Sequence, residues 1–260
     1  MLYLIATPIG NLKDITHRAI ESLMLSDKIY CEDTRTSLVL LNHYEIKKPL
    51  ESFHKFNEAK TLDQILKELE AGKTLSVISD AGTPGLADPG ERLIQELIKK
   101  KYPFTLIPGA SAPLMGLILS GFETIPYQFL GFPPKEKLSA FIEKILIYPH
   151  TTVLLETPHH VNKLLEAICK IDPDREMAIA RELTKKFEEV VRGKAADLKE
   201  GNYRGEIVLI IKGSPTQIDK NKLLEEINYL ISKGLSKKDA IEFVTRNTNV
   251  KKRDLYQHLI

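Results

Sequence analysis

The chain has little of what ties proteins to oxidising compartments or to membranes. Only two of its 260 residues are cysteine, Cys31 and Cys169, and they stand in no redox or metal-ligand spacing. That suits a reducing cytoplasm better than a disulfide scaffold, with packing as the expected role of both thiols. No apolar run reaches the roughly 18 residues that a spanning helix needs, and the opening MLYLIATPIG carries no basic segment ahead of its short apolar stretch. Neither export nor a membrane location is therefore expected. Charge of one sign is not in excess: 37 Lys and Arg face 35 Asp and Glu, for a net +2. That balance permits contact with nucleic acid without arguing for it. Also missing are G-x-G-x-x-G and G-x-x-x-x-G-K-[ST], so the usual dinucleotide and triphosphate cradles fit poorly.

What is present is a soluble globular composition, 43% hydrophobic and 28% charged, with its most informative stretch at residues 75 to 90, LSVISDAGTPGLADPG. Leu75, Val77 and Ile78 read as a buried strand, and Asp80 to Gly85 keep the backbone bare. Asp88 and Pro89 read as N-cap and first residue of the next helix. A small molecule can lie against such a main chain, although an ordinary tight strand-to-helix crossover leaves the same trace.

Strand and helix alternate through the first 120 residues. Strands are expected at 2–6, 28–31, 50–53, 75–79 and 104–107, with helical spacing at Ile15, Ala19, Ile20 and Leu23, at Ile65, Leu66 and Leu69, and at Leu93, Ile94, Leu97 and Ile98. This is the pattern of a parallel sheet, which binds ligands outside the carboxyl ends of its strands. The small-residue turns 6–11, 79–85 and 108–112 then share one rim. A second α/β unit follows. QFLGF, TTVLLET, EMAIARELT and GEIVLIIKG supply its strands, the last of them without a full helix between, so a mixed sheet is expected. After a polar linker come helices only. Ser236 and Asp239 form a capping box, Ala240, Phe243 and Val244 an apolar stripe, and Leu255 and Leu259 a last short helix beyond a turn at 247–249. The expected domains are 1–116, 117–214 and 222–260, the third resembling a helix-turn-helix. Its segment 233–254 carries Lys233, Lys237, Lys238, Arg246, Lys251, Lys252 and Arg253 against three acids. Such an excess suits a phosphate backbone, or simply a solvated helix surface.

Seven motifs occur in order: ATPIGNLKDIT, CEDTRTS, SDAGTPGLADPG, IPGASA, LETPHH, ARELTK and RGEIVLI. Together they span nearly all of residues 1 to 212, and the chain resembles the ribosomal RNA small-subunit methyltransferase I family. The resemblance implies a two-domain tetrapyrrole-methylase-like α/β fold with a parallel N-terminal sheet, a mixed second sheet and a small C-terminal helical extension. It implies S-adenosylmethionine as cofactor and 2′-O-methylation of a cytidine in the decoding region of 16S ribosomal RNA, within the 30S subunit, by a cytoplasmic homodimer. Carried over residue by residue, it points to Pro8, Ile9 and Gly10 from the first loop, Asp80, Ala81, Gly82 and Thr83 from the second, and Pro108, Gly109, Ser111 and Ala112 from the third. Leu155, Ala180 and Ile207 would close the cleft from the other side. FHKFNE at 53–58 departs from the family's common HxHNE.

Methyl transfer to oxygen depends mainly on orientation and exclusion of water, with no metal required. A ribose hydroxyl is a weak nucleophile, so a nearby carboxylate is wanted to take or orient its proton. Glu32 and Asp33 sit at a strand end on the rim, beside Arg35, which suits a phosphate clamp. An ion pair of either acid with Arg35 or Arg181 is the alternative. Glu182 is a further candidate carboxylate. Lys237, Lys238, Arg246, Lys251, Lys252 and Arg253 are the expected RNA contacts of the third domain. His159 and His160 diverge at a helix start and lack further ligands at zinc spacing. Two other functions fit parts of the pattern: C-methylation of a corrinoid or sirohaem precursor on the same fold, and a non-catalytic nucleic-acid-binding module. Tetrapyrrole enzymes typically carry G-x-G-P-G-D and G-D-P where this chain has ATPIGN and SDAGTP. A module that only senses a ligand has no need of the complete second wall that ARELTK and RGEIVLI add.

Overall fold

A computed structural model describes residues 1–87, 90–214 and 220–245. The Asp88–Pro89 cap, the turn at 247–249, the last helix, Arg246, Lys251, Lys252 and Arg253 lie outside the described residues. By its contacts the chain forms two compact units, Met1–Gly213 and Ser214–Ile260.

Unit one opens with a parallel sheet. Its strands are β1 (Leu2–Ile5), β2 (Lys28–Cys31), β3 (Leu50–Ser52), β4 (Leu75–Ile78) and β5 (Phe104–Ile107), in the order β3-β2-β4-β1-β5. Between them run α1 (His17–Leu25), α2 (Thr34–His43), α3 (Glu58–Glu70) and α4 (Glu91–Lys99). Alternate strand residues point to opposite faces, and both faces are apolar here. Leu2, Leu4, Tyr30, Leu75 and Val77 pack under Ile65 and Leu69 of α3 and Leu93 and Leu97 of α4. Ile5, Ile29, Cys31, Ile78 and Ile107 pack under Ala19 and Leu23 of α1 and Leu41 of α2. Burial on both faces is why these strands read as continuous apolar runs. Parallel pairing also sends every strand's carboxyl end to one edge.

The second sheet holds β6 (Tyr127–Phe129), β7 (Thr151–Glu156), β8 (Glu176–Arg181), β9 (Glu189–Lys194) and β10 (Ile207–Ile211), in the order β6-β7-β10-β8-β9. The expected mixed character is present: β6 pairs with β7 in parallel and every other pairing is antiparallel. On one face lie α6 (Leu138–Ile147), α7 (Pro158–Ile171) and the short α8 (Ala195–Leu198). The other face is covered by α5 (Ala112–Ser120), whose Leu117 meets Val153, Ala178, Ala180, Val208 and Ile210. Gly116 is what lets α5 come so close, since a Cβ there would stand 2.8 Å from Val208 Cγ1. Ile9, from the loop after β1, inserts into this same cluster. The carboxyl edge of the first sheet is thereby fixed against the second.

Apolar spacing marks neither α2 nor β9. Helix α2 is separated from β2 by only two residues and buries only Ser37, Leu40 and Leu41, too few for a clear periodic stripe. Strand β9 is an edge with no fully buried residue.

In unit two, α9 (Lys220–Ser232) and α10 (Lys237–Thr245) pack through Ile227, Ala240, Ile241 and Val244. The expected cap is formed: Asp239 N donates to Ser236 Oγ at 3.1 Å. The expected stripe needs one correction, because Ile241 takes the inward position and leaves Phe243 56% exposed. The i, i+1, i+4 set of Ala240, Ile241 and Val244 faces the neighbouring helix instead.

Candidate active site

Two pockets adjoin at the carboxyl edge of the first sheet and share Ile9, Asp80, Ala81 and Glu206 as a common wall. The first, about 330 Å³, is the more apolar. Ile9, Asp80, Ala81, Gly82, Thr83, Ser111, Ala112, Leu155 and Ile207 line it, together with Glu32, Leu183 and Val208. The second, about 610 Å³, is lined by Pro8, Gly10, Asp33, Arg35 and Thr36 among others. Three segments of the expected cofactor set, and two residues of the facing sheet, thus converge.

Hydrogen bonds lock these loops to one another. Thr7 N donates to Gly82 O at 2.8 Å and Gly82 N returns a bond to Thr7 O at 3.1 Å. Thr7 Oγ1 also reaches Ser79 O at 3.2 Å. Such a bridge needs Gly82 at φ +80°, a left-handed backbone that side chains rarely adopt. Thr83 Oγ1 donates to Ala110 O at 3.4 Å, tying the second loop to the third. Asp80 Oδ1 accepts from Asp33 N at 2.9 Å, tying it to the end of β2.

Not every expected residue touches a pocket. Gly109 sits where a Cβ would come 2.9 Å from Ala6 Cβ, so its small size serves contact between loops. Pro108 beside it and Ala180, buried beneath α5, likewise line neither pocket. Glu182 is occupied: Lys185 Nζ lies 3.0 Å from its Oε1, which also accepts from Glu206 N at 3.1 Å. Burial works against its ionised form, but these bonds outweigh it and hold the carboxyl below its ordinary value.

Glu32 and Asp33 are neighbours in sequence with opposite environments. Asp33 caps α2, accepting from Arg35 N at 2.8 Å, and its carboxylate pairs with the Arg35 guanidinium at 2.6 Å. Hydrogen bonds from Arg35 hold its carboxyl down at about 2. Arg35 itself is 88% exposed. Arg181 pairs instead with Glu189 across β8 and β9, at 2.7 Å. Glu32 lines the apolar pocket, where burial first and the Asp80 charge second push its carboxyl up. Asp80 is raised for the same reason, burial foremost, with the Asp33 charge adding to it. Two carboxyls shifted upward by burial therefore border the first pocket, Asp80 also reaching the second, where Asp33 is held down by Arg35.

Sequence reasoning missed Glu156, Thr157, Leu183 and Glu206, all of which line the first pocket. For the first two a signal existed, since LETPHH is a strand running straight into a helix that starts at Pro158. Leu183 is placed by the irregular segment after β8, where Glu182 and Thr184 both adopt positive φ. Nothing in the residue pattern announces that.

S-adenosylmethionine fits the first pocket on the structure's own terms. The walls are apolar, Asp80 offers a carboxylate oxygen, and Ser111 Oγ is buried there without a hydrogen-bond partner among the described residues. Gly82 keeps one wall bare, since a Cβ would stand 3.4 Å from Ile9 Cγ2.

Comparison with known proteins identifies the family. The model of the Tetrapyrrole (Corrin/Porphyrin) Methylases matches residues 1–199. Proteins named ribosomal RNA small subunit methyltransferase I are similar over most or nearly all of the chain. That of Halalkalibacterium halodurans is 36% identical, covering 98% of this chain and 93% of its own length. That of Bacillus subtilis is 37% identical over 98% and 92%, and that of Coprothermobacter proteolyticus is 43% identical over 81% and 97%. Among solved structures, a diphthine synthase superposes with a TM-score of 0.64 at 15% identity, covering 82% of this chain and 89% of its own. A cobalt precorrin-4 methyltransferase gives 0.61 at 13%, over 81% and 94%. At such identities these two likenesses speak for the fold alone. Fold, motif order and relatives together place the chain in the ribosomal RNA small subunit methyltransferase I family of the tetrapyrrole methylases.

Proposed function

We propose that this protein methylates the 2′-hydroxyl of a cytidine ribose in the decoding region of 16S ribosomal RNA, acting on the 30S subunit as a cytoplasmic homodimer. Most of the support comes from relatives bearing the small-subunit name that align over 98% of this chain. The likeness to corrin- and uroporphyrin-methylating enzymes, by contrast, is one of fold at 13–19% identity.

S-adenosylmethionine, the methyl donor of this family, supplies an electrophilic methyl on a sulfonium. The chain's task is to orient an oxygen toward that methyl, keep water away and remove a proton. Ile9, Leu155, Leu183 and Ile207 provide the dry walls around the donor, with Asp80 and Ser111 as its polar partners. Glu32 is the base we assign. It borders the donor pocket, and its raised carboxyl makes it a better proton acceptor than Asp33, which Arg35 holds at about 2. The wider second pocket is the place for the acceptor nucleotide, with Arg35 exchanging Asp33 for a phosphate. Glu182, already bonded to Lys185 and Glu206, shapes the wall between them.

The experiment that tests this is methyl transfer to small subunits from cells lacking the gene, followed by mapping of alkali-resistant linkages. One protected linkage, at a cytidine of the decoding region, is expected. Methyl groups on bases, or no incorporation, would overturn it.

The C-terminal unit is assigned to the phosphate backbone. Lys237 and Lys238 are exposed at the start of α10, as is Lys233 before it. Every phosphate that a lysine neutralises steepens the plot of log affinity against log salt by about 0.7–0.9. Replacing Lys237 and Lys238 together by alanine is expected to reduce that slope by one to two such steps, with donor affinity unchanged. An unaltered slope in RNA-binding titrations would remove these lysines from the interface.

A further inference from the structure

The segment after β3 takes no part in the proposed methyl transfer, yet it stands on the same edge. In the register Cys31 pairs with Ser52, and Phe53 N donates to Cys31 O at 2.7 Å. The residues following Ser52 therefore run alongside Glu32 and Asp33. His54 lies near enough to act on the Glu32 charge. Phe53 is buried as an anchor, whereas Phe56, three residues on, is 97% exposed.

This exposure does not come from a loose loop. Asn57 Oδ1 accepts from His54 N at 2.8 Å, Asn57 Nδ2 donates to Ser52 O at 2.9 Å and to Ser52 Oγ at 3.2 Å, and Asn57 N donates to His54 O at 3.0 Å. Four bonds close the turn on the end of β3. The His54 ring meets Phe56 edge-on with centroids 6.0 Å apart. Lys55, exposed between them, has no ion pair among the described residues. An aromatic carried on a hydrogen-bonded turn and held in water beside an uncommitted cation, at the edge of a reaction site, matches how proteins grip unpaired nucleotides: base on ring, phosphate on ammonium.

We propose that Phe56 is a stacking platform for an unpaired base of the RNA next to the acceptor nucleotide, with Lys55 on the adjoining phosphate. The assignment presupposes the RNA substrate argued above and adds a recognition residue outside both pockets. Phe56 holds the strand in place and takes no part in the proton transfer, so it is a positioning residue.

The chain contains no tryptophan, which makes Phe56→Trp a single fluorescent reporter at the platform. Titration with a short single-stranded oligocytidylate is expected to quench its emission, and heparin, which offers charge without bases, is not. Equal quenching by heparin, or none by the oligonucleotide, overturns the proposal. A companion measurement uses small subunits as substrate. Phe56→Ala should raise KM roughly 5- to 150-fold, the range seen when a base loses its aromatic partner, with kcat and donor affinity little changed. Phe56→Trp should restore KM. An unchanged KM in Phe56→Ala, or no rescue by the indole, also overturns it. Failure of the RNA assignment itself is recognised separately, as absence of methyl transfer by the unaltered protein, while the quenching reads Phe56 alone.

Discussion

Glu32→Gln is expected to lower the single-turnover rate of methyl transfer by about 10²- to 10⁴-fold, the usual worth of a positioned general base, and to leave donor affinity near that of the unaltered protein. Glutamine keeps the shape and the polar contacts of the side chain but cannot accept a proton. The pH dependence carries the same signature. Burial, reinforced by the Asp80 charge, raises the Glu32 carboxyl, and a base works only when deprotonated. The rate should therefore fall with decreasing pH through a midpoint higher than that of an ordinary glutamate. Asp80→Asn removes the like charge and keeps an oxygen to accept from Asp33 N, so the midpoint should move to lower pH. Asp33→Asn tests the opposite environment. Its carboxyl is already held at about 2 by Arg35, and losing it should cost less than about tenfold in rate. A Glu32→Gln protein that turns over at full rate with saturating donor and RNA would end the assignment of Glu32 as base.

Gly82→Val is expected to remove donor binding, weakening it by at least about 100-fold in calorimetric titration. Two effects add. Valine at φ +80° is strained by about 1–3 kcal/mol, and its branched Cβ starts 3.4 Å from Ile9 Cγ2, with the γ-methyls reaching beyond it. Gly82 is also bonded to Thr7 through both of its main-chain groups, so the strain passes to the loop that forms the other wall. The fold should survive with a single cooperative melt at a lower Tm, because the strained residue lies outside the apolar clusters. Gly82→Ala, with no γ-methyls, should fall between. Affinity equal to that of the unaltered protein in Gly82→Val would show that the bare loop does not face the donor.

Much of the scaffold is legible in the sequence because burial is a pattern a sequence can carry. Strands β2 and β5 fall on the expected residues. At β1, β3 and β4 the expected strand runs one residue past the ladder, since Ala6, Phe53 and Ser79 are buried like strand residues but already turn into loops. The site is legible in its loops and less so in its roles. Glycine spacing at 82 and 109 looks alike, yet one residue bares a pocket wall and the other admits Ala6, and composition cannot tell close approach to a ligand from close approach to backbone. Glu32 and Asp33 look interchangeable until β2 ends between two pockets and gives one acid to each. Ala180 sits in a motif that borders the site and is core all the same.

Placing β1 between β4 and β5 has a consequence for how the chain is made. Leu2 pairs with Leu75 on one side and Phe104 on the other, so the first strand of this sheet to be synthesised is the last of its strands to gain both neighbours. At roughly 5–20 residues per second of synthesis, about a hundred residues take about 5–20 s. Throughout that interval Leu2, Leu4 and Ile5, all buried in the finished protein, are without their final partners. Nascent chains stalled before residue 104 should thus be sticky and protease-sensitive, and those stalled well beyond it resistant.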